Sequence, residues 1–146
     1  MPADTRRTIL VTGGAGFIGS NFVRYVLETE SDVTIINYDL LTYAGNLRNN
    51  ESVGDDDRYS FVRGDITNAA QLADVFEKND IDVVVNFAAE THVDRSNEDS
   101  SPFVRTNVLG TQCLIDVSRR HGVSRYVQIS TDEVYGSLGR EGSFRE

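Results

Sequence analysis

The apolar residues of this chain fall into short dense runs, separated by stretches that repeat at helical spacing. Ile9-Leu10-Val11, Val33 to Ile36, Phe61-Val62 and Ile81 to Val85 are rich in Val and Ile and are bounded by Gly, Asp, Asn and Ser. Runs of this length and composition read as strands buried on both faces. They predict strands over Thr8–Thr12, Val33–Asn37, Tyr59–Arg63, Ile81–Phe87 and Arg125–Ser130. Spacings of three and four predict helices between them. One covers Gly16–Thr29 through Ile18, Phe22, Tyr25 and Val26, and another covers Asn68–Asn79 through Leu72, Val75 and Phe76 behind an Asn68 N-cap. A third covers Pro102–His121, with proline in the first turn where it is tolerated. The link from 38 to 58, with Asp55–Asp57 in it, reads as a solvated loop. The alternation of strand and helix, without a repeat or a break in composition, predicts a parallel sheet covered by helices on both sides.

The first strand empties into T-G-G-A-G-F-I-G-S over 12–20, with glycines at 13, 14, 16 and 19. A diphosphate can approach backbone N–H groups at a helix N-terminus only where no Cβ intervenes. The pattern fits the dinucleotide fingerprint because a strand precedes it, a helix follows it, and Asp39 lies 20 residues after Gly19, beyond the second strand. The fold class is therefore α/β, a Rossmann-type doubly wound parallel sheet, and residues 1–146 read as a dinucleotide-binding domain. Gly13, Gly16 and Gly19 are the phosphate-loop candidates. Asp39 suits the adenosine ribose hydroxyls, and its charge would repel a 2′-phosphate, which favours NAD over NADP.

The chain of 146 residues carries 23 acidic and 14 basic residues, a formal charge of −9, and Lys78 is its one lysine. A negative surface disfavours nucleic acid and anionic membrane as partners. It suits a cytoplasm of very high salt, though ordinary drift in composition would leave the same record. No apolar run reaches the roughly 18 residues that span a bilayer, and the start M-P-A-D-T-R-R has no apolar leader core, so a cytoplasmic protein is expected. The lone Cys113 has no disulfide partner and reads as a small core residue; no metal site is expected.

Further polar segments follow the remaining strands, at the end of the sheet where doubly wound folds bind ligands. Asp65 and Ile66 follow the third strand and suit an adenine edge, although Asp65 also reads as a helix-capping acid. After the fourth comes F-A-A-E-T-H-V-D-R-S, whose Ala88 and Ala89 let the chain pass close beneath a cofactor. After the fifth comes S-T-D-E-V-Y-G, where Asp132 and Glu133 are either a solvated pair or an acid and base facing the cofactor.

Four segments together resemble the N-terminal part of the dTDP-glucose 4,6-dehydratases, a branch of the extended short-chain dehydrogenase/reductase family. They are V-T-G-G-A-G-F-I-G-S at 11–20, D-L-L-T-Y-A-G-N-L at 39–47, A-A-E-T-H-V-D-R-S at 88–96 and S-T-D-E-V-Y-G at 130–136. The first is common to the extended family, and the other three are more diagnostic. The resemblance implies NAD contacts at Phe17, Ile18, Asp39, Leu40, Leu41, Thr42, Asp65, Ile66, Ala88, Ala89, Glu90, Thr91, His92 and Thr106. Leu40 departs from the lysine usual there.

In that family the C4 hydroxyl of dTDP-glucose is oxidised, which acidifies the C5 proton; water is lost from C5 and C6, and reduction at C6 gives the 4-keto-6-deoxy sugar. The resemblance makes Glu133 the base, Asp132 the acid and Thr131 the partner of the C4 oxygen, with His92 also reaching the substrate. The family's Tyr-x-x-x-Lys has no match here, since Tyr126 is followed four places on by Ser130 and Tyr135 by Gly139. The resemblance therefore implies a truncated chain, inactive alone, lacking the last strands and the sugar-nucleotide domain. It also implies a homodimer at full length, with Pro102–His121 as a pairing helix. Two rival readings are a related NAD-dependent enzyme, such as a UDP-glucose 4-epimerase or UDP-glucuronate decarboxylase, and a non-catalytic NAD-binding module.

Overall fold

A computed structural model describes residues 6–145, so most of the charged start and Glu146 lie outside the described residues. Its elements in chain order are β1 (Arg7–Thr12), α1 (Phe17–Thr29), β2 (Val33–Asp39), β3 (Tyr59–Arg63), α2 (Ala69–Lys78), β4 (Val83–Asn86), α3 (Val93–Glu98), α4 (Ser101–Phe103), α5 (Thr111–Arg120) and β5 (Arg125–Gln128). All pairings are parallel, in the order β3-β2-β1-β4-β5. Because the order reverses between β1 and β4, the helices after β1 and β4 leave on opposite faces and a crevice opens at the carboxyl ends.

Alternation along the strands divides the apolar residues between two cores. Val11, Val33 and Ile35 face Val23, Val26 and Leu27 of α1. Leu10, Ile36, Tyr38 and Val84 face Leu72, Val75 and Phe76 of α2 and Leu114 and Val117 of α5. Cys113 packs partly buried at the edge of this second core, and burial pushes its thiol pKa up.

Several sequence expectations need correction. Helix α1 begins at Phe17, with Gly16 as its cap, and its buried stripe is Gly19, Ser20, Val23, Val26 and Leu27. Ile18 and Tyr25 are 62% and 65% exposed, so they do not belong to that stripe. Strand β2 continues through Tyr38 and Asp39 because these pair with Val62 and Arg63. Strand β4 is shorter than expected at both ends: Asp82 receives the N–H of Thr8 at 2.8 Å, and past Asn86 the chain leaves the ladder toward the crevice. Strand β5 likewise stops at Gln128.

The 38–58 link is structured. A 3₁₀ helix at Leu47–Val53 buries Asn50 and Val53, and Asn46 caps it by accepting the N–H of Arg48. Asp56 is no solvated acid either. It pairs with Arg58 at 2.7 Å, and Arg58 also donates to the carbonyls of Leu27 and Glu30 at the end of α1. The expected helix Pro102–His121 is interrupted: α4 and α5 are joined by a π-helical segment, Val104–Gly110, with wider turns. No described helix is long and apolar enough to cross a membrane.

Candidate functional site

The carboxyl ends of all five strands converge on one cleft of about 450 Å³, within the range of small-molecule sites. Gly13, Gly16, Phe17, Ile18 and Gly19 form one wall, and Asp39, Leu40, Thr42, Asp65 and Ile66 form a second. Ala88, Ala89, Glu90 and Thr91 line it after β4, Thr106 from the π-helical segment, and Thr131 after β5. Leu41, His92, Asp132 and Glu133 do not line it. Cleft residues that sequence reasoning passed over are Tyr38, Ala44, Gly45, Gly64, Phe87, Ile129 and Ser130.

The glycine-rich turn is pressed between strand ends. Gly13 has φ 70, and a Cβ there would stand 2.6 Å from the Ala88 nitrogen. A Cβ at Gly19 would overlap the Gly13 carbonyl. Backbone can therefore reach the cleft only because side chains are missing. No side chain caps the N-terminus of α1, which leaves N–H groups of its first turn free to bind an anion.

Asparagines after β2 hold this turn from behind. Asn50 donates to the Gly14 carbonyl and Asn49 to the Ala15 carbonyl, both at 2.8 Å. The sequence motif marked the glycines but not these partners, whose polar character suggested loop.

Asp39 is buried, with one oxygen accepting the Ala15 N–H at 3.0 Å and the other the Leu41 N–H at 2.7 Å. Each carboxylate oxygen keeps one lone pair for a ligand. Leu41 thus turns its backbone to Asp39 and stays out of the cleft lining.

Tyr38, fully buried, directs its hydroxyl at the Asp65 carbonyl, 3.1 Å away, and at Gln71 Oε1, 3.2 Å away. Burial, with the Asp65 charge nearby, pushes its pKa upward. Burial also pushes the Asp65 pKa upward, but hydrogen bonds from Thr67 and the charge of Arg105 outweigh it and hold the carboxyl below its usual range. Asp65 is not the helix cap, which is Asn68 through the Gln71 N–H; it braces the turn before α2 by accepting the Thr67 N–H at 2.8 Å, and it lines the cleft.

The floor rests on Asn86, fully buried at the end of β4. Its Oδ1 accepts the Thr12 hydroxyl and the Ala88 N–H at 3.1 Å, and its Nδ2 donates to Gln128 Oε1 at 2.9 Å. Tyr126 donates to the same Gln128 oxygen at 3.0 Å, and burial pushes its phenol up to about 12.

Beyond β5, Thr131 caps a 3₁₀ turn, Asp132–Tyr135, in which both acids are exposed. His92 is exposed at the cap of α3. The structure therefore brings Thr131 to the cleft and leaves both carboxylates and His92 outside its lining. Among the described residues no cluster of His, Cys, Asp and Glu is arranged to hold a metal ion.

Known proteins share both sequence and architecture with this chain. The low-salt glycan biosynthesis protein Agl12 of Haloferax volcanii is 51% identical over 138 residues, covering 94% of this chain and 43% of that protein. The crystal structure of dTDP-glucose 4,6-dehydratase from Bacillus anthracis, in complex with NAD, superposes with a TM-score of 0.85 at 50% identity, covering 96% of this chain and 42% of that one. UDP-glucose 4-epimerase from Brucella ovis, also in complex with NAD, superposes with a TM-score of 0.80 at 33% identity, covering 92% of this chain and 38% of that one. The chain thus spans less than half the length of these relatives. Residues 10–146 match the GDP-mannose 4,6 dehydratase family, from the middle of β1 through every element that lines the cleft, and the chain belongs to that family.

Proposed function

We propose that this chain is the NAD-binding part of a dTDP-glucose 4,6-dehydratase, which converts dTDP-glucose to dTDP-4-keto-6-deoxyglucose with loss of water. The observation that carries the reading is the position of Thr131-Asp132-Glu133: the threonine lines the same cleft as the glycine turn, and two acids follow it directly. The identity of 50% to the dehydratase against 33% to the epimerase supports the same choice.

The cleft fits a dinucleotide. The glycine turn and the uncapped start of α1 would receive the diphosphate, the spare lone pairs of Asp39 the adenosine ribose, and Asp65 with Ile66 the adenine edge. NAD, when bound, would supply reversible hydride transfer, taking the hydride from C4 to give the ketone that the product keeps and returning it at C6 after water is lost. Thr131 would donate a hydrogen bond to the C4 oxygen. Glu133 would take the C5 proton, and Asp132 would protonate the departing C6 hydroxyl. Adjacent carboxyls in opposite protonation states need unlike surroundings. Both are exposed in this structure, so burial against the sugar would be what separates them.

The test is incubation of the full-length protein with dTDP-glucose, followed by mass spectrometry and proton NMR of the sugar nucleotide. A dehydratase yields a product lighter by one water. A product of unchanged mass with inverted C4 would replace the reading with an epimerase. Bound NAD with an unaltered sugar would leave a binding module.

A further inference from the structure

The side chain of Tyr43 joins the β2 and β4 sides of the cleft. Tyr43 stands between Thr42 and Ala44, which line the β2 side, and its hydroxyl donates at 3.2 Å to Oε2 of Glu90, which lines the β4 side. The guanidinium carbon of Arg95 lies 4.4 Å from the centroid of the Tyr43 ring. Both ends of the bridge are anchored. On the first side Gly45 donates to the Thr42 carbonyl at 3.1 Å, and Asp39 holds Leu41. On the second, Asn107 pairs with the Glu90 backbone, accepting its N–H and donating to its carbonyl, both at 2.8 Å.

Tyr43 itself is 57% exposed and belongs to neither hydrophobic core. An exposed bridge of this kind contributes little to folding. What it sets is the separation of the two walls it joins.

We propose that Tyr43 is a positioning residue that latches the two walls of the cleft together. Glu90 is its hydrogen-bond acceptor and Arg95 packs on its ring, so that the latch governs how slowly a bound dinucleotide leaves. The proposal rests on the reading of the cleft as an NAD site. Because the latch joins two rigid segments without burial, it can open and close without disturbing the sheet, and its loss would appear in the release rate before it appeared in stability.

The experiment uses the full-length protein loaded with NADH and chased with excess NAD, with release followed by stopped-flow fluorescence. Loss of both contacts in Tyr43→Ala should speed release roughly tenfold. Tyr43→Phe keeps the ring under Arg95 and loses the bond to Glu90, so release should quicken roughly threefold. Glu90→Gln still offers an acceptor oxygen and should restore most of the original rate relative to Glu90→Ala. Combining Glu90→Ala with Tyr43→Phe should add nothing beyond the faster single variant, because each removes the same bond. Thermal unfolding of Tyr43→Phe without dinucleotide should be unchanged, which a merely structural role would not give. Release from Tyr43→Ala within twofold of the unmodified rate would overturn the latch while leaving the cofactor reading intact. Failure of the unmodified protein to bind NADH would overturn both.

Discussion

The carboxylate of Asp39 accepts the N–H of Leu41 at 2.7 Å, and Leu41 stands at φ 58, the one non-glycine residue with positive φ among the described residues. Through its other oxygen the same carboxylate holds Ala15 in the glycine-rich turn. One buried acid therefore fixes both turns on this side of the cleft. Strain of this kind persists only where surrounding structure imposes it, and it collects at ligand clamps.

Side chains at position 41 should accordingly rank by their tolerance of left-handed backbone. Leu41→Asn should leave stability nearly unchanged, whereas the β-branched Leu41→Val should lose about 1 kcal/mol or more. Urea unfolding measures both. Equal stability of the two variants would show that the backbone relaxes and the turn is not held.

Asp39→Ala should weaken NAD binding and reduce the preference for NAD over NADP. Each charge-assisted hydrogen bond lost is worth about 1.5–3 kcal/mol, so the loss in affinity should exceed tenfold. Calorimetry with both cofactors measures it. Equal affinity of the unmodified protein for NAD and NADP would refute the ribose role.

If Asp132 and Glu133 carry the elimination, Asp132→Asn and Glu133→Gln in the full-length protein should each slow water loss roughly 10²–10⁴-fold. Oxidation at C4 should survive in part, so reduced cofactor should accumulate on addition of dTDP-glucose, visible by absorbance. Two variants that dehydrate at the normal rate would make the pair structural and remove the dehydratase assignment.

Acid should destabilise the fold through identified groups. The hydrogen bond from Arg58 holds the Asp56 carboxyl below its usual range, and Asp65 is held low despite its burial. Each folded pKa lies below the unfolded value near 4, so the stability from these groups is fully present above about pH 4 and is lost as pH falls through the folded values. Melting temperature followed from about pH 7 to about pH 2.5 should fall along that limb. Asp56→Asn should melt lower at neutral pH and converge with the unmodified protein in acid. A difference that stays constant with pH would mean that its charge is not what stabilises.

A charge of −9 with a single lysine among 14 basic residues should make the fold more stable in concentrated potassium chloride, because salt screens self-repulsion. A thermal melt across a salt series measures this. Maximal stability in dilute buffer would identify the acidity as incidental.

The glycine turn, Asp39 and the small residues after β4 were legible as cleft lining because each carries a local signal: missing Cβ atoms, a short acid at a strand end, alanines where the chain leaves the sheet. What escaped depends on partners distant in sequence. Ile18 and Tyr25 fit the apolar spacing of α1, but periodicity cannot tell a residue that faces a ligand cleft or solvent from one in the core. The polar run through Asn49 and Asn50 looked like loop because its side chains bond to backbone carbonyls of the glycine turn, which no local pattern reveals. Strand ends were misplaced at Asp82 and Ile129 for a related reason, since ladder pairing, not hydropathy, decides where a strand stops.

The π-helical segment makes the spacing between cleft and core a matter of residue count. From three consecutive positions, Arg105 reaches Asp65 and Thr67, Thr106 lines the cleft, and Asn107 grips Glu90, while Leu114 and Val117, about two and three turns later, are buried. Removing one residue between 104 and 110 would let the wide turns tighten into ordinary α-helix and improve the local hydrogen bonding. The helix downstream would keep its phase, with Leu114 and Val117 still on the sheet, and it is Arg105, Thr106 and Asn107 within the segment that would lose their facing toward Asp65, the cleft and Glu90. The segment thus uses one extra residue to turn three consecutive positions toward the cleft while the helix after it keeps its apolar face on the core.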